Sequence, residues 1–373
     1  MQPEASAVRD SAVRMQSQAV FASLVSAAVA VVIALLVFRG GAVPFSGAGS
    51  LRSVGGLAAL LGGVLGSLGF VLAYAQSLAA MDASATGRQP PSIPPPRLAR
   101  RILDTIALLL THLGIWVVLC LGLFAVLQRA IADAALDALT ASAFVAAAVS
   151  VAVYSMQASA SSISAFRVST LLTVFIAAGL LVSMVTAPDP SWWRLNFSAL
   201  GTFDGFSGII FNFTLIVTGA VLVTLADYLM ADLREWAGRQ PPGAGTRVPL
   251  VGVGVAGIGV CLTGVGAFPA DSAPIPHLIA ALGLVVVFGA LALSFPWLLP
   301  GFPGMFVVLG YAAVGLIVVV TVLYVPFGIY NQTALELVGA AMVLGWTIVF
   351  IRTVGALRRD AEATPVPARR ALR

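Results

Sequence analysis

Three ionisable side chains in the second half of the chain stand where an apolar run begins: Asp204, His277 and Glu336. Two carboxylates and an imidazole at one depth could perform general acid–base chemistry. They could also coordinate a cation or hold a lipid headgroup. Arg194, Ser198, Asn212 and Asp271 lie in the same polar stretches and complete the candidate ligand-binding set. Arg194 is the expected phosphate contact, because a guanidinium fork matches phosphate oxygens. Asn212 follows Asp204 by eight residues, which places it on a similar helix face about 12 Å deeper. If the chemistry were hydrolysis or group transfer on a lipid, His277 would be the base and Asp204 or Asp271 would orient it. A transporter would instead need a polar path running inward from Asn212 through His112 or Asp227. The plainest alternative is that these groups are solvated helix caps, since Asp and Glu are favoured near helix N-termini. His112 can equally be a neutral imidazole bonded to a neighbouring helix.

Several chemistries are excluded or unsupported. All 20 basic residues are Arg, so no Lys is present for a Schiff base or a phosphate-binding Gly-Lys loop. No Gly-x-Gly-x-x-Gly follows a strand pattern, and Gly-x-Ser-x-Gly is absent. Two Cys and two His are too few for an ordinary zinc site. No metal and no cofactor are expected. The basic isoelectric point of 9.8 does not indicate nucleic acid, because the arginines fall in loops and tails.

The elements that must position these residues are membrane spans. The chain is 60% hydrophobic and 9% charged. A soluble domain of this size could not hide so much apolar surface. Continuous apolar runs fit helices and not the alternating segments of a barrel. Ten spans are expected, at about 19–38, 54–80, 103–128, 138–160, 168–187, 206–230, 248–267, 277–299, 303–325 and 333–356. With a cytoplasmic N-terminus, only Arg39, Arg52, Arg129 and Arg194 fall outside and the other sixteen arginines fall inside. The expected fold is an all-α integral membrane protein of the cell membrane with both termini cytoplasmic. It divides into a four-helix part (1–160), a six-helix bundle (161–357) and a disordered basic tail (358–373). Thr86 to Pro96 reads as an extended Pro-rich loop, and Arg239 to Gly245 as a second linker.

Glycines crowd the second span (Gly55, Gly62, Gly63, Gly66) and the seventh (Gly252, Gly254, Gly257, Gly259, Gly264, Gly266). Such faces let helix backbones approach closely, inside the chain or in a homo- or hetero-oligomer. Trp192 and Trp193 suit a membrane interface, and Ser191 to Leu200 reads as a short interfacial helix. Membrane lipids are therefore the expected partners.

The last six spans carry a further pattern. Ser198-Ala199-Leu200-Gly201, then Phe211-Asn212, then Gly264-Val265-Gly266-Ala267-Phe268-Pro269 with His277-Leu278-Ile279-Ala280-Ala281, and Leu335-Glu336-Leu337 occur in that order. Over residues 166–357 this resembles the bacterial and archaeal membrane family catalogued as domain of unknown function 998. That family is distantly similar to the eukaryotic damage-regulated autophagy modulators and a GPI-lipid remodelling factor. The resemblance implies a lipid-facing role, and places Ser198, Asn212, His277 and Glu336 at the family's recurrent polar positions. It implies no activity, because a fold alone does not fix one. Lipid binding, lipid hydrolysis or transfer, transport, and a structural role in a complex all remain open at this point.

Overall fold

The computed structural model describes residues 2–39, 41–47, 50–85, 98–131, 135–160, 165–240 and 245–363. They form ten helices: α1 (Gln2–Val37), α2 (Val54–Ala85), α3 (Leu98–Ala130), α4 (Ala138–Ala160), α5 (Ala165–Thr186), α6 (Phe206–Ala237), α7 (Val248–Ala267), α8 (Pro274–Leu298), α9 (Gly304–Tyr324) and α10 (Gln332–Ala363). Each contains a stretch long and apolar enough to cross a membrane. Strand structure among the described residues is one two-residue antiparallel pairing. In it β1 (Val43–Pro44) sets Val43 against Leu136 of β2 (Ala135–Leu136). The Pro-rich run from Thr86 to Pro96, residues 241–244 of the second linker, and residues 364–373 of the tail lie outside the described residues.

Two helix junctions have clear local causes. Between α8 and α9, Phe302 N–H donates to Leu299 O at 3.2 Å. Pro300 supplies the fixed φ of the second turn position, and Gly301 takes φ +85° at the third. That is a type II turn, and the Pro-Gly pair encodes it. At the start of α4, Asp137 is the N-cap. One carboxylate oxygen accepts from the N–H groups of Leu139 and Thr140 at 2.9 and 3.0 Å, and the other from the Thr140 hydroxyl at 2.6 Å. These donors, the Thr140 hydroxyl first, hold the Asp137 carboxyl below its usual range. At the other end of the chain, α10 continues through Arg358 to Ala363, where a tail was expected. Its last turns read Ala-Leu-Arg-Arg-Asp-Ala-Glu-Ala, all tolerant of helix, and Arg358 pairs with Asp232 at 3.2 Å.

The chain divides into two compact units. One comprises Met1–Ser164, Val174–Thr186 and Gly205–Ile210; the other comprises Ala165–Thr173, Ala187–Asp204 and Phe211–Arg373. The boundary thus differs from a simple cut after residue 160. Its physical basis is local to the first unit. Val182 of α5 fills the space beside Gly122 of α3, and Arg129 donates to the Val185 carbonyl. The hydroxyls of Ser183 and Ser207 each donate to the other residue's carbonyl, at 3.0 and 2.8 Å, and both serines are fully buried.

In the first unit α2 is the central helix, and its glycines explain why. A Cβ on Gly62 would meet the Trp116 indole at 2.5 Å, and one on Gly66 would meet the Met156 sulfur at 2.5 Å. Both contacts are within the chain, so these glycine faces serve internal packing. His112 is buried against Phe70, with ring centres 4.6 Å apart. Its Nδ1 lies 2.7 Å from the Leu108 carbonyl, which can only accept, so this nitrogen carries the proton. Nε2 lies 2.8 Å from the Ser159 hydroxyl of α4. A neutral imidazole is thereby satisfied at both nitrogens.

In the second unit α7 packs through its glycines in the same manner. A Cβ on Gly259 would meet the Gly219 carbonyl at 2.6 Å, and one on Gly266 the Asn212 carbonyl at 2.7 Å. Phe295, Phe302, Phe306, Trp346 and Phe350 join α8, α9 and α10 in one aromatic cluster. Its Phe295–Phe306 and Phe306–Trp346 ring centres are 5.0 and 4.9 Å apart. Each such pair contributes roughly 0.5–1.5 kcal/mol beyond area burial.

Candidate functional site

The loop from Ala187 to Asp204 holds the richest polar sequence, and the second unit fixes it at several points. The loop does not form one interfacial helix. It makes two 3-10 turns, Trp192–Arg194 and Phe197–Gly201, separated at Asn196 by extended backbone (φ −158°, ψ 165°). Phe197 anchors the second turn. It is buried, with its ring edge-on to Phe211 of α6 at 5.2 Å.

Polar ties complete the fixation. Ser198 N–H and its hydroxyl both donate to Glu336 Oε2, at 2.9 and 3.0 Å. Gln332 Nε2, one turn back on α10, donates to Glu336 Oε1 at 2.7 Å. Asn331 caps α10 through Oδ1, which accepts from Ala334 N–H at 3.0 Å, and its Nδ2 donates to the Trp193 carbonyl at 2.8 Å. Asn212 Nδ2 donates to the Gly201 carbonyl at 2.8 Å. Gly201 is required there, since a Cβ would sit 2.5 Å from Asn212 Oδ1 and 2.9 Å from the Phe211 ring.

Of the seven residues singled out from the sequence, the structure joins Ser198 to Glu336 and uses Asn212 to hold the same loop. These three are positioning groups: their hydrogen-bonding capacity is directed at the protein itself. Arg194 is exposed, and its guanidinium lies over the Trp193 ring at 5.3 Å. Asp204 and Asp271 are exposed and form no hydrogen bond or ion pair with other described residues. His277 is oriented by neither aspartate. Its Nδ1 lies 2.8 Å from the Phe268 carbonyl, so the imidazole latches the first turn of α8 to the end of α7. Among the described residues no three His, Cys, Asp or Glu side chains gather closely enough to hold a metal ion. Asp204, His277 and Glu336 therefore do not converge into a cation-binding triad.

Two further groups emerge only from the fold. Thr333, in the first turn of α10, is 6% exposed and its hydroxyl has no hydrogen-bond partner among the described residues. Asn196 Oδ1 is likewise enclosed without a partner. The Asn196 side chain belongs to a polar run visible in the sequence. Thr333 looks there like any threonine near a helix start.

The loop exposes Trp193, Arg194 and Leu195, beside Pro188, Asp189, Pro190 and Asp204. Trp193 is 49% and Leu195 59% exposed, an aromatic ring and an aliphatic chain flanking a guanidinium. Comparison with protein-family models, curated proteins and solved structures finds no match to this chain.

Proposed function

We propose that this chain is a multi-pass protein of the cell membrane, with both termini cytoplasmic, that holds a phospholipid headgroup at the outer leaflet. The contact is made by the Trp193–Arg194–Leu195 segment. The observation that carries this reading is an exposed Trp-Arg-Leu segment on a loop fixed by Glu336, Asn331 and Asn212. A loop meant only to connect two helices needs no such fixation. Tryptophan and an aliphatic chain favour the headgroup boundary, and the arginine between them offers paired donors to a phosphate. The arginine distribution supports placing this loop outside. The resemblance to the domain of unknown function 998 family is part of the same proposal, with Ser198, Asn212 and Glu336 acting by positioning the loop.

Native mass spectrometry of the detergent-solubilised protein tests this reading. Retention of an added phosphatidylglycerol should fall about tenfold in Arg194→Ala, the order expected for loss of charge-assisted hydrogen bonds. Diacylglycerol, which lacks the phosphate, should be retained equally by both forms. Unchanged phosphatidylglycerol retention in Arg194→Ala would refute the headgroup contact. Arg194 is exposed, so the substitution leaves folding out of the comparison.

A further inference from the structure

The junction between α9 and α10 is the apolar neighbour of the polar loop held by the Ser198–Glu336 clamp. It reads Val325-Pro326-Phe327-Gly328-Ile329-Tyr330. No Asp, Glu or Arg occurs from Ser272 to Leu335, whereas the loop from 187 to 204 carries Asp189, Arg194 and Asp204. Val325, Phe327 and Ile329 are each at least 66% exposed, and Tyr330 is exposed beside them. Such a run of large apolar side chains is costly to leave in water.

The backbone is arranged for a dry setting. Val325 N–H donates to Thr321 O at 2.8 Å and Gly328 N–H to Tyr324 O at 3.1 Å. The N–H groups of Ile329 and Tyr330 both donate to Leu323 O, at 2.9 and 3.4 Å. Pro326 has no N–H to satisfy. Gly328, at φ +61°, lets the chain fold back on the end of α9. The loop thus directs these donors at its own helix, as a backbone must where water is lacking.

Helix lengths agree with that setting. From Gly304 to Tyr324, α9 rises about 30 Å, the thickness of the hydrocarbon core, with nothing to spare once the helix tilts. Arg352 is the first charge after Glu336 on α10, and from it back to Gln332 the rise is again about 30 Å. Both helices therefore bring the junction to the edge of the core. Val318, Val322 and Val325 also continue one exposed stripe from α9 into the loop.

We infer that the α9–α10 loop is immersed in the lipid boundary, with Phe327 and Ile329 among acyl chains. A protein partner would call for a polar rim. The loop offers only the Tyr330 hydroxyl, which suits the headgroup level. The inference rests on the membrane reading above and not on the Arg194 phosphate contact. It gives that contact a fixed depth. Asn331 follows Tyr330 and donates to the Trp193 carbonyl, so an immersed loop holds the Trp193 segment at the headgroup boundary.

Photocrosslinking in native membranes tests this. The full chain carries benzoylphenylalanine in place of Phe327, and its adducts are identified by mass spectrometry after irradiation. The same group in place of the exposed Asp204 is the aqueous reference. Phospholipid adducts at 327 should exceed those at 204 by about tenfold or more, the factor by which a phenylalanine side chain prefers to leave water. A crosslinked dimer, or an adduct with another protein, as the main product at 327 overturns the inference, because protein then covers the loop. Equally sparse lipid adducts at both positions overturn it too, because the loop then lies in water. The unaltered chain supplies a second readout. Hydroxyl radicals generated in the aqueous phase should leave Phe327 unoxidised in nanodiscs, and ready oxidation overturns the inference. None of these results depends on Arg194, so failure of the phosphate contact and failure of the immersed loop are read separately.

Discussion

Removing the Ser198 hydroxyl should loosen the loop by a predictable amount. Glu336 accepts three hydrogen bonds, two of them from Ser198. Ser198→Ala deletes the 3.0 Å hydroxyl bond and keeps the 2.9 Å N–H bond. A hydrogen bond to a charged group contributes about 1.5–3 kcal/mol, and the half-buried setting argues for the low end. Ser198→Ala should then cost about 1.5 kcal/mol, which is roughly a tenfold rise in the open fraction of the loop. Glu336→Ala loses all three bonds and leaves the Ser198 N–H unsatisfied, so it should cost about 3–4 kcal/mol. In the Glu336→Ala background, Ser198→Ala should cost under about 0.5 kcal/mol, giving a coupling near 1 kcal/mol. Hydrogen exchange of the amides from 193 to 202, followed by mass spectrometry in nanodiscs, reads this opening directly. If Ser198→Ala accelerates exchange equally in both backgrounds, the two residues are not coupled. The clamp would then be an incidental contact.

Other outcomes follow from single residues. Gly201→Ala pushes a methyl into Asn212 and Phe211, and should destabilise the protein by about 1–3 kcal/mol in thermal unfolding. Gly301→Ala places a side chain at φ +85°, and should cost about 1–2 kcal/mol without altering lipid retention. The Asp137 cap should depend on acid. Its folded carboxyl titrates below its unfolded value, so the contribution to α4 is complete above the unfolded value and lost as pH falls through the folded one. Protection of the Leu139 and Thr140 amides relative to their intrinsic exchange rates should fall below about pH 4 in the native protein and be independent of pH in Asp137→Ala. The proposed topology is open to impermeant thiol labelling of intact cells in a background lacking Cys120 and Cys261. Asp204→Cys should be labelled from outside and Glu235→Cys only after permeabilisation.

The helices were legible because length and apolarity suffice to define them. The expected span 138–160 coincides with α4, and 248–267 with α7. The Pro300-Gly301 turn was legible because its chemistry is local. The polar residues of the site were legible by type and not by role. Ser198, Asn212 and Glu336 stood out as ligands, yet each is consumed by a protein partner. Pairing across 138 residues leaves no periodic trace in a sequence. The same reason hid the His277 latch, whose partner is a backbone carbonyl and so carries no side-chain signature. Thr333 was silent because burial, not residue type, makes its hydroxyl unusual. The 3-10 breaks at Asn196 were missed because a Trp-rich polar stretch looks equally helical and irregular.

The reciprocal serine pair at 183 and 207 bears on how the polypeptide is made. The first unit is not finished when its fourth helix leaves the ribosome, because Val174–Thr186 and Gly205–Ile210 still have to join it. The gap beside Gly122 has no Val182 until α5 is made, and Ser183 has no Ser207 until the start of α6 follows. A gene fragment stopped after residue 164 should therefore yield a protease-sensitive product, and one extended through 210 a sturdier one. The loop from 187 to 204 is synthesised between those two serines, and so before α10 arrives to hold it.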